Sequence, residues 1–442
     1  MKLLLISAIL IYSVLLSIPA NSFTLLAENL QWLWLVIPLF LVVNLFAGFF
    51  ITKTRFKRIR ACSHGNVLLA SFLLVIPISV AYHIVLAFYT IPDDYTTFLW
   101  SILLCTGVET IIFWNGIICL YMTSFQIGMK YRIIGIICGL IPGLNVIALS
   151  VILFKTFNEV FVELDKEKLN KSRKEQKVCQ TKYPVLMVHG VMFRDFKYLN
   201  YWGRIPSELE TNGAKIFYGN HHSASSVHAS AEELTERIKT IVNETGCEKV
   251  NIIAHSKGGL DCRYAISNFD AAPYIASLTT INTPHNGCEF ADYLLTKISP
   301  KLQNRVAKTY NGTLKRLGEP NSDFLAAMNN LTASACKQLN EELSIPEGIY
   351  CQSIGSVLVK AKSGKFPLNL SYRFVKHFDG PNDGLVSKKS FEWGEKFTLV
   401  EPKKKCGISH ADIIDLNREN IRGFDVREFY VELVNDLKER GL

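Results

Sequence analysis

The 442 residues are 49% hydrophobic, with a mean hydropathy of +0.19, too apolar and too long for one soluble domain. The net charge of +9 is uneven. Residues 1–182 hold 16 Lys and Arg against 9 Asp and Glu, and the remaining 260 residues hold 32 against 30. The basic surplus therefore accompanies the apolar part of the chain, where it reads as membrane topology, and a nucleic-acid partner is not expected.

Eleven cysteines are scattered singly, with no C-x-x-C pair and no His/Cys ligand cluster, so zinc and iron–sulfur centres lose their main support. Free thiols in a reducing compartment are expected rather than a disulfide framework.

Four stretches, Leu3 to Ala20, Leu30 to Ile51, Val67 to Tyr89 and Phe98 to Met122, approach or exceed the roughly 20 residues a helix needs to cross a bilayer. The first reads as a retained span rather than a signal peptide, because the flank after Ala20 is a poor cleavage site. Lys53, Arg55, Lys57, Arg58 and Arg60 follow the second stretch, while the next loop carries Asp93 and Asp94 and no base. The first loop is thus predicted cytoplasmic and the second external.

A fifth apolar stretch, Ile133 to Phe154, is broken by Gly139-Leu140-Ile141-Pro142-Gly143. It reads as a hairpin, with a fifth helix as the alternative; a hairpin leaves the rest of the chain cytoplasmic. His83 and Glu109 lie inside apolar stretches, where mutual pairing would lower the cost of burial. Residues 1–157 are predicted to form the multispan membrane region, and 158–182 a charged, solvated linker.

From Tyr183 the pattern becomes short buried strands alternating with amphipathic helices: Val185 to Val188, Ile216 to Tyr218, a helix over Ala231 to Glu244, Val250 to Ala254, a helix from Gly258, and Ser277 to Ile281. This predicts an α/β domain over 183–442, doubly wound on a mostly parallel sheet, preceded by an all-α transmembrane region.

At the end of the third strand stands Ala254-His255-Ser256-Lys257-Gly258. A serine flanked by small residues where a strand turns straight into a helix has the form of a nucleophile elbow. Its hydroxyl needs a histidine to take the proton and an acid to hold that histidine, in the chain order serine, acid, histidine. Gly380-Pro381-Asn382-Asp383-Gly384 supplies Asp383, and Gly407-Ile408-Ser409-His410 supplies His410. Oxyanion donors are expected from the Lys257 amide and, after the first strand, the Val191 amide; His189 reads as shaping that turn.

With these residues in place, the soluble part resembles the bacterial true lipases, a family of α/β-hydrolases. The matching passages are V-H-G (188–190), Y-W-G-R-I-P (201–206), A-H-S-K-G-G-L-D-C-R-Y (254–264), T-P-H-N-G (283–287), G-P-N-D-G-L-V-S-K-K-S (380–390) and H-A-D (410–412). They spread over about 230 residues in the family's order and stop at Tyr183.

The resemblance implies carboxylic ester hydrolysis through Ser256, Asp383 and His410, with long-chain acylglycerols as usual substrates. It requires no cofactor, but it implies a structural calcium with Asp412 as one ligand; the second expected Asp has no counterpart between Ser353 and Lys376. Residues 294–343, with apolar Leu302, Val306, Leu314 and Leu331, fall where the family carries its lid. The expected partners are a lipid ester and the bilayer. A lipid acyltransferase using the same triad, and a membrane sensor or scaffold with an inactive hydrolase domain, remain the alternatives.

Overall fold

The computed structural model describes residues 2–25, 32–90, 94–191, 200–316, 319, 322–401 and 406–442. The chain divides into two compact units, Met1–Lys171 and Ser172–Leu442.

The first unit is entirely helical among its described residues: α1 (Lys2–Ala20), α2 (Ser22–Leu25), α3 (Leu33–Ile51), α4 (Lys57–Thr90), α5 (Tyr95–Thr123), α6 (Gly128–Gly139) and α7 (Leu144–Ser172). Of these, α1, α4, α5 and α7 are long and apolar enough to cross a membrane, and α3 is a shorter apolar helix. Asp94 caps α5 by accepting the Thr97 amide at 3.1 Å; Asp93, read with it in the loop, lies outside the described residues.

The break expected near Pro142 separates α6 from α7, and α7 then runs back past the start of α6. Buried Glu159 on α7 accepts from Arg58 on α4, and from Ser124 Oγ and the Phe125 and Gln126 amides in the α5–α6 turn. Glu167, two turns on, accepts from Thr54 Oγ1 and the Arg55 amide in the α3–α4 loop. The α6–α7 pair therefore enters and leaves at the end of the unit that carries the basic loop.

Two expectations need correction. Residues 158–171 are helical but not a solvated linker: Glu159, Glu163, Lys166, Glu167 and Asn170 are buried, and distant segments supply the partners of Glu159 and Glu167. Residues 172–182 belong to the second unit, where Arg173 pairs with Glu428 and the Lys182 amide donates to the Leu442 carbonyl. His83 and Glu109 do not pair either. His83 bonds to the Ser79 carbonyl and Ser101 Oγ, and one Glu109 carboxylate oxygen has no hydrogen-bond partner.

The second unit is built on six parallel strands, β1 (Val185–Val188), β2 (Ile216–Tyr218), β3 (Val250–His255), β4 (Ile275–Ile281), β5 (Tyr350–Ser356) and β6 (Lys396–Val400), in the order β2-β1-β3-β4-β5-β6. Alternation along β1 shows why both faces are covered. Val185 and Met187 pack against Trp202 and Leu209, the latter on α8 (Ile205–Thr211), and against Tyr430 and Val434 on α16 (Val426–Glu439). Leu186 and Val188 face Ala231, Leu234 and Ile238 on α9 (Val227–Thr245), and Cys262 and Ala265 on α10 (Lys257–Asn268).

Between β4 and β5 lie α11 (Glu289–Lys297), α12 (Pro300–Arg316), α13 (Phe324–Asn329) and α14 (Ala333–Glu342), and α15 (Leu368–Asp379) follows β5. The predicted lid interval is thus helical, beginning five residues earlier than expected. Its apolar positions divide: Leu314 is buried, whereas Leu302 and Val306 are about half exposed.

Candidate active site

Ser256 follows β3 directly and caps α10 with φ +54° and ψ −130°, a backbone region costly for a residue with a side chain. The surrounding backbone holds it there. The Ser256 amide donates to the Ile281 carbonyl on β4 at 2.9 Å, and its carbonyl accepts from the Gly259 amide at 3.1 Å.

Close approach explains the neighbouring glycines. A Cβ at Gly258 would lie 2.5 Å from the His189 carbonyl oxygen, and one at Gly190 would lie 2.8 Å from Ser256 Cβ. The loop after β1 is therefore pressed onto the elbow, and Val191 is the next residue along it. Lys257, the other expected oxyanion position, is the first residue of α10, where helix amides lack intrahelical acceptors and the helix dipole favours a negative charge.

Asp383 and His410, 27 residues apart, are brought together by the loops after β5 and β6. His410 Nδ1 and Asp383 Oδ2 are 2.6 Å apart, and the His410 amide donates to the Asp383 carbonyl at 3.0 Å. Every side-chain oxygen of this fully buried aspartate is occupied. Oδ1 accepts the Leu385 and Val386 amides at 2.9 and 2.8 Å, and Oδ2 accepts Asn282 Nδ2 at 2.6 Å as well as the histidine. Four donors hold the aspartate in place and fix the imidazole through Nδ1, leaving Nε2 for exchange with a hydroxyl.

Three residues given no role from sequence complete the setting. Asn282, directly after β4 with φ +46°, ties Asp383 to Ser356 Oγ through one amide group. The Tyr201 hydroxyl accepts the Gly190 amide at 3.1 Å and is 2.6 Å from His255 Nδ1, linking the β1 loop to the elbow. The His255 ring packs against His410 with centroids 4.4 Å apart. Burial, and then the neighbouring His410 charge, push His255 well below its usual range, so it stays neutral. One sequence signal did exist: asparagine tolerates a left-handed backbone better than most residues, and it stands between a strand and Thr283-Pro284.

His189 behaves as a turn-shaping residue. Its ring bonds to the Gly190 and His221 carbonyls and stacks on the His221 ring at 4.0 Å. The Lys257 side chain does not reach the surface. Its ammonium is buried, donating to Asp261 at 2.6 Å and Ser230 at 2.9 Å. The charge is thus committed beneath the elbow.

Asp412, the calcium ligand that the resemblance implies, lies two residues after His410. Asp412 Oδ2 accepts the Ser409 amide and the Asp412 amide returns a bond to Ser409 Oγ, a local reciprocal cap. No group of three or more His, Cys, Asp or Glu side chains suited to a metal occurs among the described residues.

Residues 184–345 match the palmitoyl protein thioesterase family. The chain is 34% identical over 173 residues to a triacylglycerol lipase of Pseudarthrobacter phenanthrenivorans, covering 36% of this chain and 53% of that one. It is 26% identical over 294 residues to a triacylglycerol lipase of Vibrio cholerae, covering 61% and 91%. The chain thus spans about half the length of the Pseudarthrobacter relative. Among solved structures, Staphylococcus hyicus lipase aligns with a TM-score of 0.47 at 18% identity, over 59% of this chain and 97% of that one. The sheet order and the elbow give residues 172–442 the architecture of an α/β-hydrolase, and part of this unit is similar in sequence to bacterial triacylglycerol lipases.

Proposed function

We propose that the chain is a membrane-anchored serine ester hydrolase that cleaves fatty-acyl esters of lipids. The carrying observation is the saturated Asp383 carboxylate on His410 Nδ1, in a unit that holds Ser256 at a strained strand–helix elbow. His410 Nε2 takes the proton of Ser256 Oγ as the oxygen attacks the ester carbonyl. The Val191 and Lys257 amides receive the oxyanion. As the tetrahedral intermediate collapses, the bond from carbonyl carbon to alkoxy oxygen breaks, and His410 returns its proton to the departing alcohol. Water then attacks the acyl-Ser256 ester, giving its proton to His410, and the acid leaves as Ser256 recovers a proton.

Lipid esters are favoured as substrates because four apolar helices of spanning length tie the hydrolase unit to a bilayer. The return of α7 to the end bearing Lys53, Arg55 and Lys57 supports a cytoplasmic hydrolase unit under the positive-inside rule. The match to palmitoyl protein thioesterases favours a second reading, cleavage of S-acyl thioesters by the same groups.

Fluorophosphonate labelling with permeant and impermeant probes, on intact and opened cells, tests both mechanism and side. Labelling that Ser256→Ala abolishes, and that the impermeant probe achieves only after opening, is expected. No Ser256-dependent labelling under any condition refutes the hydrolase; impermeant labelling of intact cells refutes the cytoplasmic placement. Parallel turnover of a long-chain acylglycerol and an S-palmitoyl peptide separates the two substrate classes.

A further inference from the structure

We infer that the surface formed by residues 359–376 is a docking site for an anionic lipid bilayer. The segment has a composition unlike the near-neutral unit around it. Between Glu347 and Asp379 the chain carries five lysines and arginines and no carboxylate. One of the five, Lys365, pairs with Glu419 at 2.7 Å. Lys360, Lys362, Arg373 and Lys376 are exposed, and among the described residues no carboxylate pairs with them.

Apolar side chains lie among these charges and are equally bare: Phe366 is 79% exposed, Phe374 59%, Leu370 56% and Val359 54%. Helix geometry shows that the exposure is not an accident of fraying. At about 100° per residue, buried Leu368, Tyr372 and Val375 occupy one side of α15, and Leu370 and Phe374 fall on the opposite side. The helix is apolar on both sides, but the fold covers one. Solvent alone does not account for a Leu/Phe ridge flanked by cations. An interface whose headgroups carry negative charge, with acyl chains beneath, matches both parts of the pattern.

The location connects this surface to the active site. Phe374 packs against Phe290 of α11 with ring centroids 5.9 Å apart, and Asp379, ending α15, accepts the Glu289 and Phe290 amides at 2.9 and 3.1 Å. At the other end, Leu358 bridges Gly407, three residues before His410. Seating this ridge in a bilayer thus places lipid against α11, the first helix after the β4 loop, and beside the histidine loop.

The proposal extends the anchored-hydrolase reading and takes only the tether from it. Its test is hydrogen exchange on the full chain carrying Ser256→Ala, so no turnover is needed and failure of the hydrolase reading leaves the result intact. The chain is placed in detergent, in phosphatidylcholine vesicles, and in vesicles of phosphatidylcholine and phosphatidylglycerol. Exchange over 359–378 is expected to slow at least tenfold in the anionic vesicles relative to detergent, and less in the neutral ones. Lys360→Glu, Lys362→Glu and Lys376→Glu combined should abolish the difference between lipids; Leu370→Ser with Phe374→Ser should abolish protection altogether. Equal exchange in all three media overturns the proposal. So does equal protection in all three, which would show that protein covers the ridge.

Discussion

Substitution of Gly190 by alanine tests whether the β1 loop supplies an oxyanion donor. The new methyl would sit 2.8 Å from Ser256 Cβ, 3.0 Å from the Tyr201 hydroxyl and 3.1 Å from the His255 carbonyl oxygen. Carbon contacts are favourable at about 3.5–4.0 Å, so loop and elbow must part by about 1 Å. The Gly190 backbone has no left-handed φ that alanine would resist, so the perturbation is confined to that separation. Loss of one oxyanion donor costs about 10²–10³ in kcat, and a 1 Å misplacement about 10². Turnover of a short-chain nitrophenyl ester should therefore fall about 100-fold, about 2.7 kcal/mol in the barrier, with KM nearly unchanged. Overpacking also destabilises by about 1–3 kcal/mol, so Tm is measured alongside. A folded Gly190→Ala enzyme turning over within threefold of the parent would refute the assignment of Val191 as a donor.

Three further expectations follow from individual contacts. Asn282→Asp keeps the shape and the tolerance for φ +46° but turns the donor on Asp383 Oδ2 into a facing carboxylate; a hydrogen bond to a charged group is worth about 1.5–3 kcal/mol, so kcat should drop about 10- to 150-fold with an altered pH–rate profile, and an unchanged profile counts against the role given to Asn282. Burial pushes the Asp261 carboxyl up from 3.8 to about 6 against the pull of Lys257. A folded pKa above the unfolded one favours the protonated fold, so this contribution is full below 3.8 and is lost as pH rises through about 6. The Tm of the parent relative to Asp261→Asn should accordingly fall between about pH 4 and about pH 7, and a flat difference contradicts the linkage. Burial holds the thiols of Cys179, Cys288, Cys336 and Cys351 up at about 12, whereas Cys406 is exposed. Iodoacetamide on the native protein, followed by peptide mass spectrometry, should modify Cys406 well before those four.

Strands β1 to β4 were legible in the sequence, and Val-Leu-Met-Val and Val-Asn-Ile-Ile announce themselves by apolar runs; β5, Tyr-Cys-Gln-Ser-Ile-Gly-Ser, is buried but carries no such run. Strand β6, Lys-Phe-Thr-Leu-Val at the edge of the sheet, lacks such a run and was not foreseen. Residues 158–171 misled for the converse reason. A dense mixture of charges ordinarily marks a solvated surface, and only partners more than 30 residues distant, Arg58, Thr54 and the α5–α6 turn among them, make burial affordable. The break at Pro142 was legible because proline acts on its own backbone, and the two short apolar arms around it gave the hairpin reading; the contacts of Glu159 and Glu167 that hold α7 were not legible.

The same distinction divides the candidate site. Ser256, Asp383 and His410 could be named because a reaction demands residue types in an order, and order is a property of sequence. The positioning groups answer to geometry instead. Asn282 meets Asp383 across 101 residues and Tyr201 meets His255 across 54. An asparagine or a tyrosine has no composition signal that separates a structural hydrogen bond from one aimed at a catalytic group. Lys257 shows how far one position can carry two meanings: its amide is the proposed oxyanion donor, while its ammonium is committed to Asp261 and Ser230 beneath the elbow. A charge beside a nucleophile therefore says little about substrate preference until its partner is known. For this chain, preference for anionic lipid is better sought on the exposed cations of 360–376 than at Lys257.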